Sequence, residues 1–549
     1  MTEGIKSVMT DAIQKDGETV PTPSGVLLQA KELTIRTREG TSLLTDISFH
    51  IEPGELVALT DLGHSGKSTL LKSLAGLIEP ENGEILIDGV NLYANLKAFR
   101  PTIGFVPAEF ALHQNLTVSE ILQEAALLRL PRRISSQDRR QRVLTILNLV
   151  GLTSVTDRRV ELLSNVEKRR LSIAVELLSY PKLLLLDEST EPLIAFDELQ
   201  MTILLRELSR QGLTIIQVNP RSRSAGVSDK IIFLAPGGHL AFFGPPDEAL
   251  AFLKGLVPRG VVKDMFGLQQ ALEMLVNPHE RDGAEWAKRF QDHEAYQKNV
   301  DDPLHNRFPD LILQTHPLIR LRLRNSSKEK LPPPIIPRAS GVQKLALLIR
   351  RNFRLLWRDK AVHLMLVIPL LVALVHFILS PTGADSNSQP VVFDLFVFLV
   401  VLTAAMLVQN EIFKEKDVYR REQRTSSLLL PYILSKIWLV GLLAIYQGLV
   451  WTIIRSIGQI GSVAGSQALL SSGITLSLVA FIGGVLGLIV SALSRRTMTS
   501  ISWVLLLTVP LLLFVINPLN HWLSLVIMSL FLILLLVGIQ QRTASVRTS

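Results

Sequence analysis

Between Asp61 and Thr69 the chain reads DLGHSGKST, and its second half has the residue types of a phosphate-binding loop. Such a loop follows G-x-x-x-x-G-K-[ST]: glycines let backbone N–H groups approach phosphate, the lysine neutralises it, and the hydroxyl reaches magnesium. Gly66, Lys67 and Ser68 satisfy the end of that pattern, while Asp61 stands where its first glycine belongs. A GKS tripeptide alone is a weak signal. Here it follows a strand-like run, ELVALT, and opens a helix-like run, STLLKSLAGLI, so that the start of a helix would face the anion. About 120 residues later LLLLDE ends a second strand-like run with Asp187 and Glu188. An acidic pair there suits a magnesium ligand, Asp187, and a base that orients an attacking water, Glu188.

Strands and helices must bring these residues together. From Gly25 to about Pro258, apolar runs such as EILID, KLLLLDE and LTIIQV alternate with helical stretches, the pattern of a mostly parallel α/β domain. We therefore expect an α/β P-loop nucleoside-triphosphatase domain over residues 26–258, after a polar lead-in over 1–25 that lacks a secretory signal. A polar connector is expected over 259–338, with one helix around AEWAKRFQDHEAYQKNV and a stiff KLPPPIIP.

The rest of the chain is apolar. Hydrophobic residues make up 48% of the 549 and charged residues only 19%, a surplus that a water-soluble surface does not hide. Six segments, 361–380, 391–409, 431–454, 467–493, 497–516 and 522–539, approach the roughly 20 residues needed to cross a bilayer. They lack amphipathic faces, which argues against a buried core and for an all-α six-helix transmembrane domain over 361–545. Ahead of them VQKLALLIRRNFRLLWRDK, within 339–360, has the spacing of an interfacial amphipathic helix.

Loops 411–430 and about 495, together with the C-terminal tail, carry nine Lys and Arg against one in the other three loops, which places both termini and the nucleotide domain in the cytoplasm of a multi-pass cell-membrane protein. The formal charge of +8 is then explained by lipid headgroups without invoking nucleic acid. Without cysteine, disulfides and thiolate chemistry are excluded. Among the few polar span residues, Asp394 and Lys436 are expected to snorkel at an interface. Gln447, Thr497, Thr499, Ser500 and Ser502 are expected to hydrogen-bond between helices, and Pro510 to kink the fifth span.

The segment NVEKRRLSIAVELLSYPKLLLLDEST resembles the signature-to-Walker-B region of ATP-binding cassette (ABC) transporters, and RRLSIAVELL resembles the G subfamily in particular. IGFVPAEFALHQNLTVSEIL, FFGPPDEALAFL and FKEKDVYRREQR extend the resemblance over residues 27–545. It implies a half-transporter that pairs as a homodimer or heterodimer with two ATP molecules between the cassettes. Cassette closure would reach the spans through cytoplasmic helices, including one that contains Phe413 to Arg424. Implied nucleotide contacts are Asp61, Leu62, Gly63, His64, Ser65, Gly66, Lys67, Ser68 and Thr69 of the loop, with Ser164, Asn165, Val166 and Glu167 of the signature. Mg2+ would take Ser68 and Asp187, and Glu188 would be the catalytic residue.

The departures fall in the same motifs. The glutamine expected after GFVP is Ala108, LSGGQ reads LSNVE from Leu163 to Glu167, the loop after the acidic pair reads EPLI, and TIIQVNPRS lacks the switch histidine. In the phosphate loop Asp61 and His64 replace two of three glycines. Both types tolerate positive φ comparatively well, but a carboxylate at 61 repels phosphate and weakens ATP binding. The resemblance implies an ATP-coupled subunit, exporter by the habit of G-like members, and the apolar lining of the spans points to an apolar or amphipathic small molecule or lipid as cargo. The alternative is a hydrolysis-impaired partner of an active cassette, and a third reading is an ATP-gated scaffold. Loop 517–521 is too short for an external cap.

Overall fold

The computed structural model describes residues 25–61, 65–187, 195–218, 225–256, 283–305, 340–379, 389–425, 429–457, 466–494 and 504. They fall into two compact units, one of residues 1–111 with 117–337 and the other of residues 112–116 with 338–549.

The first unit is built on a ten-stranded sheet in the order β5-β4-β1-β2-β10-β9-β3-β8-β7-β6. Its strands are β1 Leu28–Arg36, β2 Ser42–Ile51, β3 Leu56–Asp61, β4 Asn82–Ile87, β5 Val90–Asn91, β6 Ile103–Val106, β7 Leu183–Leu186, β8 Thr214–Val218, β9 Lys230–Ala235 and β10 His239–Gly244. β9, β3, β8, β7 and β6 pair in parallel, whereas β2, β1, β4 and β5 form an antiparallel wing. All four residues of β7 and the first five of β3 are buried, because helices cover parallel strands on both faces and leave no polar side for alternation. In-register pairing of Leu56 with Ile215 and of Leu184 with Ile215 sets the carboxyl ends of β3 and β7 one strand apart. Asp61 and Asp187 therefore emerge on the same edge, where open α/β sheets bind ligands.

Helices α1 Lys67–Leu74, α2 Val118–Arg129, α3 Ser136–Leu149, α4 Asn165–Leu177, α5 Ala195–Arg210 and α6 Pro246–Leu256 accompany this sheet. The connector expected over 259–338 is not uniform, since residues 283–305 pack into the sheet's own hydrophobic core. Trp286 and Phe290, on α7 Gly283–Gln291, are buried there, with Phe290 5.1 Å from Phe242 and 5.9 Å from Phe252 between ring centroids. The single helix expected in this stretch is also broken. His293 Nδ1 accepts the Ala295 N–H at 3.1 Å and so caps a fresh turn, after which Gln297–Asp301 winds as a π-helix. A side-chain cap inside an apolar pattern is invisible to periodicity.

The second unit contains α8 Gly341–Arg358, α9 Lys360–Leu379, α10 Gln389–Val408, α11 Glu411–Thr425, α12 Leu429–Ile457 and α13 Ser466–Leu493. Ser340 and Gln343 form a capping box that starts α8, and Val342, Phe353 and Trp357 lie exposed along it. Among the described residues, Leu395–Arg424, Leu429–Ile457 and Leu470–Leu493 are long and apolar enough to cross a membrane, and Leu366–Ile378 is a shorter apolar helix. The expected fifth and sixth spans, apart from Val504, lie outside the described residues, as do Thr497, Thr499, Ser500, Ser502, Pro510 and loop 517–521. Small residues set the helix spacing. A Cβ on Gly487 would lie 2.4 Å from the Ala405 carbonyl oxygen, and one on Gly483 2.6 Å from that of Val401, so α13 meets the backbone of α10 only because both are glycine. Gln447 donates to Thr403 Oγ1 at 3.3 Å, joining α12 to α10 as an interhelical hydrogen bond.

Lys436 corrects an expectation. It does not snorkel: its side chain is 2% exposed, and its ammonium lies 2.9 Å from Glu415 and 3.1 Å from Glu411 of α11. Asn352 Oδ1 accepts from the same ammonium at 3.3 Å, and Arg351 pairs with Glu422 at 2.7 Å. The helix register turns Lys436 inward, and the two glutamates on the facing helix remove the need to reach a headgroup. Ser491 Oγ accepts the N–H groups of Ile412 and Phe413 at 3.0 and 3.2 Å, satisfying the start of α11.

Truncating one partner of a buried pair strands the other charge, at a cost of about 3–5 kcal/mol. Lys436→Ala in lipid is therefore expected to lower thermal stability sharply, and Lys436→Met combined with Glu411→Gln and Glu415→Gln to recover much of the loss. Equal melting of Lys436→Ala and the unchanged protein would show that the network does not hold α11 to α12.

Candidate functional site

The phosphate loop leaves β3 at Asp61 and re-enters regular structure at α1; Leu62, Gly63 and His64 lie outside the described residues. Gly66 is the N-cap of α1, at φ 83° and ψ 15°, with no side-chain cap. A Cβ there would lie 2.3 Å from the Leu43 carbonyl oxygen, so position 66 demands glycine twice, for its left-handed backbone and for the close passage of β2. The result is a helix start with no side-chain cap, the kind of terminus whose backbone N–H groups can take an anion.

Ser68 Oγ donates to Asp187 Oδ1 at 2.9 Å, across 119 residues of chain. This sets a hydroxyl and a buried carboxylate side by side at the ends of α1 and β7. The residues present fit a Mg2+ ion: two hard oxygen donors, one of them a carboxylate, of the kind magnesium prefers. Thr69 follows on the same helix turn. Glu188 and the EPLI stretch lie outside the described residues, as do Asn219 to Ser224, where the switch histidine was sought.

Asp61 is not merely near the phosphate position. Its Oδ1 pairs with the Lys67 ammonium and its Oδ2 accepts the Ser65 hydroxyl at 2.6 Å. A carboxylate thus holds the lysine and a loop hydroxyl at once, with the Asp61 side chain 8% and the Lys67 side chain 15% exposed.

The signature segment forms an ordinary helix start. Ser164 is the N-cap of α4 and accepts the Glu167 N–H, while the Glu167 carboxylate accepts the Ser164 N–H at 2.8 Å and its hydroxyl at 3.0 Å. Asn165 and Val166 form the first turn, Val166 buried. S-x-x-E before an apolar run is a capping box legible in LSNVE, a structural role that the comparison with LSGGQ passes over.

Sequence reading missed Arg169. Buried on α4, it donates from Nη1 to the Pro107 carbonyl at 2.8 Å and from Nη2 to the Asp187 carbonyl. One guanidinium thereby ties the backbone before Ala108 to the backbone of the magnesium-ligand position. Burial pulls its pKa down to about 10, and the Asp187 carboxylate opposes part of that fall, so it remains a cation at neutral pH. Its only sequence signal is its place five residues after Ser164, on the buried face of α4. Below it, Arg129 clasps Glu176 through two hydrogen bonds of 2.8 and 2.7 Å with both side chains almost wholly buried.

Fold and site together define a P-loop cassette followed by a helical unit with membrane-length helices. Residues 44–191 match the family model described as ABC transporter, and residues 343–521 match that described as ABC-2 type transporter. The chain is 26% identical over 507 residues to the ABC transporter ATP-binding/permease protein Rv1747 of Mycobacterium tuberculosis, covering 86% of this chain and 53% of that one. It is 36% identical over 222 residues to ABC transporter G family member 22 of Arabidopsis thaliana, covering 39% of this chain and 29% of that one. With the broad substrate specificity ATP-binding cassette transporter ABCG2 of Rattus norvegicus it shares 34% identity over 227 residues, 40% of this chain and 34% of that one. The chain thus spans about half the length of the first of these relatives and a third or less of the others. It belongs to the ABC transporters, a membrane-embedded chain with its ATP-binding cassette ahead of its ABC-2 membrane domain, the arrangement of the G subfamily.

Removing a capping hydroxyl costs about 1 kcal/mol, so Ser164→Ala and Glu167→Ala should each shift chemical unfolding of the cassette modestly and alike. Arg129→Met, which leaves Glu176 buried and unpaired, should cost about 3–5 kcal/mol on the same measurement. An Arg129→Met loss no larger than the cap loss would refute the ranking.

Proposed function

We propose that this chain is one half of a dimeric ABC exporter whose cassette couples MgATP binding to movement of an apolar or amphipathic molecule across a cell membrane. The observation that carries the reading is the meeting of Gly66, Lys67 and Ser68 with Asp187 at one sheet edge, in a chain that also holds membrane-length helices. The cassette would occupy residues 26–258, the connector 259–338, the interfacial helix 339–360, and six spans the stretch 361–545. Lys67 and the N–H groups of Gly66 to Thr69 would take the phosphates, with Leu62, Gly63, His64 and Ser65 completing the loop. Ser68 and Asp187 would hold Mg2+, which supplies charge neutralisation across the phosphates. Glu188 would orient water. Ser164, Asn165, Val166 and Glu167 would face the nucleotide of a partner cassette, in a homodimer or with a second half-transporter. By the charge bias of the loops, the cassette and both termini would lie in the cytoplasm, with the basic loops against lipid headgroups. The apolar spans support a greasy cargo, and a relative named for broad substrate specificity fits a cargo of no single kind.

Photolabelling of the full chain in lipid nanodiscs with an azido-ATP analogue should give Mg2+-dependent labelling that Lys67→Ala abolishes. Labelling that survives Lys67→Ala sinks the assignment of this loop. Because the chain has no cysteine, single-cysteine variants report its orientation cleanly. Ser386→Cys should react with an impermeant maleimide on intact cells, and Lys416→Cys only after permeabilisation; the reverse pattern would overturn the topology.

A further inference from the structure

We infer that Asp61 is an internal ligand of the phosphate loop, an autoinhibitory carboxylate that a nucleotide must displace before its phosphates reach Lys67. The inference rests on the nucleotide reading above and adds to it a specific competitor. Three donors that a polyphosphate would use or adjoin are already placed on carboxylates: the Lys67 ammonium and the Ser65 hydroxyl on Asp61, and the Ser68 hydroxyl on Asp187. Carboxylate and phosphate oxygens compete for the same N–H and O–H groups, and charge-assisted hydrogen bonds of this kind are the strong ones. Asp61 engages both of its oxygens at once, one on the cation and one on a hydroxyl, as one edge of a phosphate would.

Position makes the competition efficient. Asp61 is the last residue of β3, locked in register beside Leu234 of β9, so the carboxylate is presented from a rigid strand and not from a wandering loop. Lys67 begins α1, also fixed, and only five residues separate the two in the chain. The local concentration of the internal anion is therefore high, and it binds with little further ordering. The pair is also largely withdrawn from water, where screening is weak and rupture without a replacement anion is unfavourable. When a nucleotide does take Lys67, Asp61 remains within the loop as an unpaired negative charge, so displacement weakens the bound state as well as stabilising the free one.

This differs from simple repulsion in its consequence for the nucleotide-free protein. If Asp61 only repels phosphate, its removal strengthens nucleotide binding and leaves the free protein as stable as before. If Asp61 is a ligand of Lys67, its removal strengthens nucleotide binding, destabilises the free protein, and loosens the hold on the lysine. The two effects have opposite signs and arise from one contact.

The test uses the full chain in lipid nanodiscs with Asp61→Asn, Asp61→Gly, Lys67→Ala and the double variant Asp61→Gly with Lys67→Ala. MgATP binding is titrated calorimetrically, melting is followed without nucleotide, and Lys67 modification by an amine-reactive reagent is read by peptide mass spectrometry. We expect both Asp61 variants to bind MgATP about tenfold tighter or more, the scale of one charge-assisted contact. Each should melt lower than the unchanged protein when nucleotide-free, Lys67 should be modified faster in each, and the gain in affinity should vanish in the double variant. Using both Asn and Gly guards against a loop that fails to form with one of them. Unchanged or weaker MgATP binding in both variants, with binding still dependent on Lys67, overturns the inference and leaves the nucleotide reading standing. Tighter binding with unaltered melting and unaltered Lys67 reactivity also overturns it, in favour of repulsion alone. Absence of Lys67-dependent binding in every protein, the unchanged one included, would overturn the nucleotide reading itself and the inference with it.

Discussion

A cation withdrawn from water must be given a counter-charge, and both units of this protein are organised around that requirement. In the cassette the Lys67 ammonium meets Asp61, and Arg129 meets Glu176. In the helical unit Lys436 meets Glu411 and Glu415, and Arg351 meets Glu422. Lys67 and Asp61 lie on either side of one short loop, whereas Arg129 with Glu176 and Arg351 with Glu422 join elements far apart in sequence and so help to fix the placement of helices. Arg169 is held differently, its guanidinium on the backbone carbonyls of Pro107 and Asp187, with the Asp187 carboxylate close enough to favour its charge.

At the phosphate loop this requirement meets a second one. Gly66 must adopt positive φ against the passing carbonyl of Leu43, at a helix start with no side-chain cap. Such a start with a lysine beside it invites an anion, and the chain supplies one of its own in Asp61. The same logic operates at α4, where the Glu167 carboxylate satisfies the Ser164 N–H and hydroxyl. At α4 the carboxylate satisfies the helix start itself, whereas at α1 Asp61 engages the Lys67 ammonium and the Ser65 hydroxyl and leaves the helix start without a side-chain cap.

Much of the cassette was legible because its signals are local. Continuous apolar runs gave β3 and β7, and the change from strand to helix around GKS gave the seat of the loop. LSNVE was misweighted: read as a damaged ligand loop, it is also an intact capping box, and only the second property is visible in the folded chain. Residues 283–305 read as a polar connector because Trp286 and Phe290 are sparse in sequence, although in space Phe290 meets Phe242 and Phe252 and Trp286 meets Phe233. Lys436 misled for a related reason. A lysine near the end of an apolar run has the sequence of a snorkelling residue whether it faces a headgroup or a glutamate on the next helix.

By itself the sequence carried the GKS run between a strand and a helix, the strand-like run that leads into Asp187, the order of α/β domain and apolar segments, and an aspartate at position 61, while the class of protein came from the resemblance of its longer motifs. These follow from residue type, short spacing and hydrophobic period, which are properties of neighbouring residues along the chain. Tertiary structure alone decided that the Asp61 carboxylate is used, with the Lys67 ammonium and the Ser65 hydroxyl on its two oxygens, and that Ser68 reaches Asp187 across the sheet. It alone decided which buried cations find carboxylates and which glycines are crossing points. Those outcomes depend on side-chain direction and on distances between elements far apart in sequence. Only the register of strands and the rotation of helices about their axes set those distances.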